Sequence, residues 1–142
     1  MTISLQSHLR QLPKIGKMVE QIATEGILGE KEIYFIELCI SEAVVNCIRH
    51  AYHNSPDGCI DVSILISNNQ VIIDVGDTGT PLPPNAFAKH KRQAIEFDDV
   101  DVAGLPETGR GLAIIMNHMD SVVYFSESSR NTLRMTLNIG GN

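Results

Sequence analysis

The chain has 142 residues, 11 basic and 17 acidic side chains, and a formal charge of −6, a length that fits a single domain, 1–142. That charge argues against a surface built to neutralise nucleic-acid backbones, although one nucleotide needs only a local site. No run approaches the ~20 apolar residues that cross a bilayer, so neither direct nucleic-acid binding nor a membrane partner is expected.

Thr2 to Leu5 suits a short strand. From His8 to about Glu25, Leu9, Leu12, Ile15, Val19 and Ile22 recur at helical spacing. Gly26 and Gly29 bracket a turn. Glu30 to Tyr52 is the longest helical pattern, closed by the turn chemistry of Asn54 to Gly58. Ile60, Val62, Ile64 and Ile66 alternate with other residues and lead through Asn68-Asn69 to a second strand, Val71 to Val75. Gly76 to Pro84 is a Gly/Pro loop, and the segment from 85 to 108 is polar and acidic, with no convincing core element. Gly109 to Met119 reads as a helix. Val122 to Phe125 and Thr132 to Ile139 read as closing strands around a turn near Ser128 to Asn131. Local hairpins imply an antiparallel sheet with helices on one face, an α+β two-layer sandwich.

The N-terminal MTISLQSHLRQL lacks the apolar stretch of a signal peptide. Cys39, Cys47 and Cys59 have apolar neighbours and read as small buried hydrophobes in a reducing compartment. A cytoplasmic location is therefore expected.

Three polar groupings could carry chemistry. Glu42, Asn46 and His50 stand at i, i+4 and i+8 and share one helix face. An Asn oxygen can ligate magnesium and a Glu can accept a proton, although a solvated polar stripe explains the same spacing. Asp77-Thr78-Gly79 follows a strand; the Asp can accept from a ligand's amino group and the Gly allows close approach, yet both residues also favour plain turns. Thr108 to Leu112 opens a helix whose exposed amides would favour phosphate, with Arg110 adding charge, or it is an ordinary capped start. Cys47, His50 and His53 at spacings of three are a weaker metal candidate, without an evident fourth ligand.

Taken together and in this order, ELCISEAVVNCIRHAY (37–52), VIIDVGDTGTPLPP (71–84) and GRGLAIIMNHMDSVVY (109–124) resemble the GHKL, or Bergerat-fold, ATP-binding domain. Within it they are similar to the anti-sigma-factor serine/threonine kinases, over about residues 5 to 139. The resemblance implies ATP and Mg2+ as cofactors, Glu42 as general base and Asn46 as magnesium ligand. It implies Asp77 and Gly79 at the adenine, Gly109, Arg110, Gly111 and Leu112 at the phosphates, and Thr132 near the adenine. Residues 85–108 would form the ATP lid, with Gly104 as a hinge or a loop glycine without a role. Pro81 stands where the family often has a second glycine, and the acidic residues Glu96, Asp98, Asp99 and Asp101 are unusual in such a lid. The implied substrate is a STAS-type anti-anti-sigma protein, phosphorylated on serine or threonine in a partner-switching pathway. A sigma factor is the further implied partner, and members often form homodimers. Two rival readings are a non-catalytic nucleotide- or sigma-binding adaptor, and an ATPase or detached histidine-kinase-like module of the same fold.

Overall fold

The computed structural model of the chain describes residues 1–83 and 107–139, with the backbone alone for 107–110. Five strands form one sheet: β1 (Thr2–Gln6), β2 (Cys59–Ile66), β3 (Gln70–Asp77), β4 (Ser121–Glu127) and β5 (Arg130–Asn138). Their spatial order is β1-β2-β3-β5-β4, and every neighbouring pair is antiparallel. Among the described residues three α-helices accompany them: α1 (Pro13–Ala23), α2 (Glu30–Asn46) and α3 (Glu107–His118). This is the expected α+β sandwich.

The period-two patterns decide the sheet's inner face. Ile60, Val62 and Ile64 of β2, Val71, Ile73 and Val75 of β3, and Leu133, Met135 and Leu137 of β5 are buried. They meet Ile15, Val19 and Ile22 of α1, Ile36, Ile40, Ala43 and Val44 of α2, and Ile115 of α3 in one core. Each fully buried Ile or Val contributes about 1.5–3 kcal/mol of transfer free energy. The outer face mixes exposed apolar residues, Leu65 and Val123, with polar ones and carries the exposed pairs Arg130–Asp61 at 3.0 Å and Arg134–Asp74 at 2.8 Å.

Several boundaries differ from the sequence reading. The stretch after His8 begins as a 3-10 turn, Leu9–Gln11, because Pro13 favours the first helical position and starts α1 there. The pattern from Glu30 to Tyr52 is not one α-helix. It widens after Asn46 into a π turn, Cys47–Ala51, in which the Tyr52 amide donates to the Cys47 carbonyl at 3.0 Å. His53 and Asn54 then take left-handed conformations, φ 51° and 66°, and reverse the chain. Strand β3 runs on to Asp77, two residues beyond Val75. Helix α3 starts at Glu107, so by helix geometry the unpaired amides belong to residues 107–109 rather than to Gly111. Cys59 is exposed, unlike Cys39 and Cys47. Most of the expected lid, including Gly104 and the acidic run, lies outside the described residues.

Candidate active site

Asp77 is the last residue of β3, and the inward parity of that strand carries its side chain under the helices. It is 6% exposed. Its Oδ1 accepts from the Gly79 amide at 2.9 Å and from Asn131 Nδ2 at 2.8 Å, while Oδ2 accepts from the Cys47 thiol at 3.4 Å. Burial pushes the Cys47 thiol well above its ordinary range, and the Asp77 charge and hydrogen bond push it further. Cys47 is therefore a neutral donor here. Asp77, bonded by amide donors, presents itself as an acceptor.

The loop after Asp77 is held close to the π turn. The Thr80 amide donates to the Ala51 carbonyl at 2.9 Å. A β-carbon on Gly79 would lie 2.3 Å from that same carbonyl oxygen, so only glycine fits. Tyr52 buttresses the loop from outside. Its hydroxyl accepts from the Thr78 amide at 2.9 Å and donates to the Cys59 carbonyl at 2.6 Å. His53 Nε2 reaches Thr80 Oγ1 at 3.1 Å.

A cavity adjoins Asp77. Ala43, Val75, Leu112 and Leu133 form apolar walls, and Asn46, Cys47 and Asp77 supply polar groups. Leu82 and Tyr124 close one side, where the Leu82 amide donates to the Tyr124 hydroxyl at 2.9 Å. The enclosed space is about 30 Å³, room for about one water. A flat aromatic base would require the Leu82–Tyr124 edge to move outward.

Glu42 and Asn46 lie at the α2–α3 contact. A β-carbon added to Gly111 would sit 3.1 Å from Glu42 Oε2 and 3.3 Å from both Oδ1 and Nδ2 of Asn46. The small residue at 111 thus lets α3 approach the two polar ends. Asn46 Nδ2 is buried without a hydrogen-bond partner among the described residues. Such a donor costs about 1–3 kcal/mol when left unsatisfied, and a phosphate oxygen would satisfy it. A carboxamide beside a carboxylate is also an oxygen donor set of the kind magnesium takes. These residues fit a magnesium-bound polyphosphate next to the cavity.

The structure thus brings Glu42, Asn46, Asp77, Gly79, Gly111 and Leu112 around one region. Gly109 and Arg110 stand in the first turn of α3, where only their backbone is described. Thr132 is a correction. It is paired with Gly76, on the strand positions that alternate with Asp77 and Asn131, and so faces the other side of the sheet. Asn131, directly opposite Asp77, is the residue on the inner face instead. Cys47 and His53 point to Asp77 and Thr80 and do not converge with His50 on a metal. Among the described residues no group of three His, Cys, Asp or Glu side chains could hold one. The sequence reading does not single out Asn131, Tyr124 and Leu82, and it takes Cys47 as a buried hydrophobe or a metal ligand rather than as a donor to Asp77. The signal for Asn131 was its strand parity, which becomes informative only once the β3–β5 register is known.

Residues 5–137 match the histidine kinase-like ATPase domain family. The anti-sigma F factor of Geobacillus stearothermophilus is 33% identical over 101 residues, 71% of this chain and 65% of that protein, just under two thirds of its length. The anti-sigma F factor of Caldanaerobacter subterraneus subsp. tengcongensis is 32% identical over 113 residues, 79% of this chain and 74% of that protein. The serine-protein kinase RsbW of Staphylococcus epidermidis is 32% identical over 93 residues, 65% of this chain and 57% of that protein. The SiaB-SiaC complex from Pseudomonas aeruginosa contains a chain of similar fold, with a TM-score of 0.59 at 14% identity over 98% of this chain and 89% of that one. With this sandwich, this site and a family match over nearly the whole sequence, the chain belongs to the histidine kinase-like ATPase domain family.

Proposed function

We propose that this protein is an ATP-dependent serine/threonine protein kinase and anti-sigma-type regulator, acting on a STAS-type anti-anti-sigma partner. The observation that carries the reading is the gathering of Glu42 and Asn46 beneath Gly111, next to the cavity that ends at Asp77. The relatives support it through their names, anti-sigma F factor and serine-protein kinase.

Each residue then has a task. Asp77 accepts a hydrogen bond from the adenine amino group, and Val75, Leu112 and Leu133 enclose the ring. Gly79 keeps the backbone close to the base. Asn46 holds the phosphate end, as magnesium ligand through its oxygen, and the first turns of α3, with Gly109, Arg110 and Gly111, are assigned to the phosphates. Bound magnesium supplies charge neutralisation on the phosphates. Glu42 takes the proton from the serine or threonine hydroxyl of the partner. This is mainly positioning and electrostatics, with the base worth roughly 10²–10⁴ in rate. The acceptor's STAS character, a sigma factor as second partner, a homodimer, a cytoplasmic setting and a lid over 85–108 belong to the same proposal.

The adaptor reading has one observation in its favour, the narrow cavity behind Leu82 and Tyr124. A thermal-shift titration with ADP and ATP, with and without magnesium, tests the nucleotide site, and a transfer assay separates a kinase from an adaptor that only binds nucleotide. A ligand at ~100 times its dissociation constant adds about 2.7 kcal/mol. A magnesium-dependent rise of several degrees is expected, lost in Asp77→Asn. In a transfer assay with STAS-domain proteins and radiolabelled ATP, Glu42→Gln should keep nucleotide affinity and lose phosphorylation by at least ~10². No shift at millimolar nucleotide would leave the adaptor standing instead.

A further inference from the structure

The turn between α1 and α2 carries an aliphatic pair where turn chemistry favours small or polar residues. Gly26, at φ 74°, and Gly29, the extended N-cap of α2, set the course of the chain, and Ile27 and Leu28 stand between them. Ile27 is 59% exposed, while Leu28 and Ile33 are half-buried against the core. Beside this turn lies an open groove of about 410 Å³, lined by Ala23, Leu28 and Ile33, by Tyr34, and by Glu30 and Glu37. Tyr34 is 63% exposed. Positions 30, 34 and 37 recur at helical spacing along one side of α2. A single exposed apolar residue is ordinary, but several gathered round one groove mark a contact surface. None of these residues lines the cavity at Asp77, so the groove is separate from the nucleotide site.

The charges fix the occupant. Neither Glu30 nor Glu37 has an ion-pair or hydrogen-bond partner among the described residues. Lys31, the neighbouring cation, is directed towards α3 instead. Its Nζ lies 5.7 Å from the centre of the Phe35 ring, which packs at 4.6 Å on His118 of α3. Two carboxylates therefore border an apolar groove with no cation of this chain to neutralise them. We propose that the groove docks a basic amphipathic helix of a partner protein, its apolar stripe on Leu28, Ile33 and Tyr34 and its Lys or Arg residues against Glu30 and Glu37. An extended peptide would add to a strand edge, whereas this groove is lined by helix and turn alone, the setting in which an amphipathic helix is received. Opposite charge at the rim steers the approach and fixes the orientation, and the apolar contact holds the complex. An acidic segment or an anionic lipid surface would be repelled by the same two carboxylates.

A displayed library of helical peptides, selected on the wild-type protein and counter-selected on Ile27→Ser/Tyr34→Ala, tests this. Enriched peptides should carry apolar residues at spacings of three and four, flanked by Lys or Arg. In isothermal titration such a peptide should bind the wild type and lose at least about tenfold in affinity for Ile27→Ser/Tyr34→Ala. Glu30→Gln/Glu37→Lys should lose a similar factor, and added salt should weaken the wild type several-fold while hardly affecting that variant. No peptide that separates the wild type from Ile27→Ser/Tyr34→Ala, enrichment of acidic peptides, or indifference to the charge variant overturns the proposal. Vesicles of phosphatidylcholine and phosphatidylglycerol should not sediment the protein; sedimentation that Tyr34→Ala abolishes identifies a lipid surface instead and overturns it. Sedimentation equilibrium should give the same oligomeric state for wild type and Ile27→Ser/Tyr34→Ala. Dissociation in that variant identifies a second copy of this chain as the occupant and equally overturns it. If Ile27→Ser/Tyr34→Ala fails to fold, by circular dichroism, the charge variant decides.

Discussion

Three donors converge on the Asp77 carboxylate from three separate elements: the loop after β3, the π turn and strand β5. Asp77 and Gly79 were legible in the sequence only together with the helix and glycine-rich segments on either side, because an Asp-x-Gly at a strand end is by itself equally a plain turn. Asn131 was not, because its neighbour Thr132 looks equally suited until pairing decides which of them faces inward. A one-residue difference in a strand moves a side chain to the opposite face. The same environment controls the cysteines. Burial, with the Glu42 charge adding, pushes the Cys39 thiol up to about 12, and Cys47 is also pushed well above its ordinary value. Thiolate is the reactive form, so both should be inert in the native protein. Labelling with a chromogenic disulfide at pH 8 should modify Cys59 alone, and all three cysteines once denaturant is added.

At the scale of elements, the π turn after Asn46 does what a continuous α-helix could not. Strict 3.6-residue periodicity would have kept His50 in line with Glu42 and Asn46. The extra residue in the turn changes that phase and aims the Ala51 carbonyl at the loop that follows Asp77. A widened turn at such a place is common at functional sites. Gly79 is packed against that carbonyl, so Gly79→Ala drives a carbon into backbone that cannot retreat easily. We expect a loss of about 1–3 kcal/mol in stability and weaker ADP binding, read by urea denaturation and titration. Gly111→Ala meets side-chain ends at 3.1–3.3 Å instead, and should disturb the phosphate end more than the fold. The β4–β5 hairpin was anticipated near Ser128. Its two-residue turn places Ser128 and Ser129 at φ 52° and 65°, the positive angles that such tight hairpin turns require.

For the whole molecule, one sheet face is covered by helices, while the other bears exposed Leu65 and Val123 among polar residues and exposed ion pairs, each worth at most about 1 kcal/mol. Global stability should therefore depend on the core and on what is buried in it, including two protonated thiols. In the unfolded chain those thiols ionise near their ordinary value of 9.0, whereas in the folded chain they hold their protons to higher pH. Their contribution is complete below that value and is lost as pH rises above it. Unfolding free energy should fall between pH 9 and about 11 by up to ~1.4 kcal/mol per pH unit per thiol. Urea denaturation at pH 8, 9 and 10 measures this, and Cys39→Ala should flatten the slope by its share.

By itself the sequence determined the α+β architecture, the helices, the hairpins and the order of the site segments. Those follow from local periodicity and turn chemistry, which act over a few residues. Only the tertiary structure decided that Asn131 rather than Thr132 meets Asp77, that Cys47 donates to the same carboxylate, and that Gly111 lies against Glu42 and Asn46. Those contacts join residues up to 69 positions apart in the chain. They depend on strand register and on how closely two helices approach, quantities that no local pattern encodes.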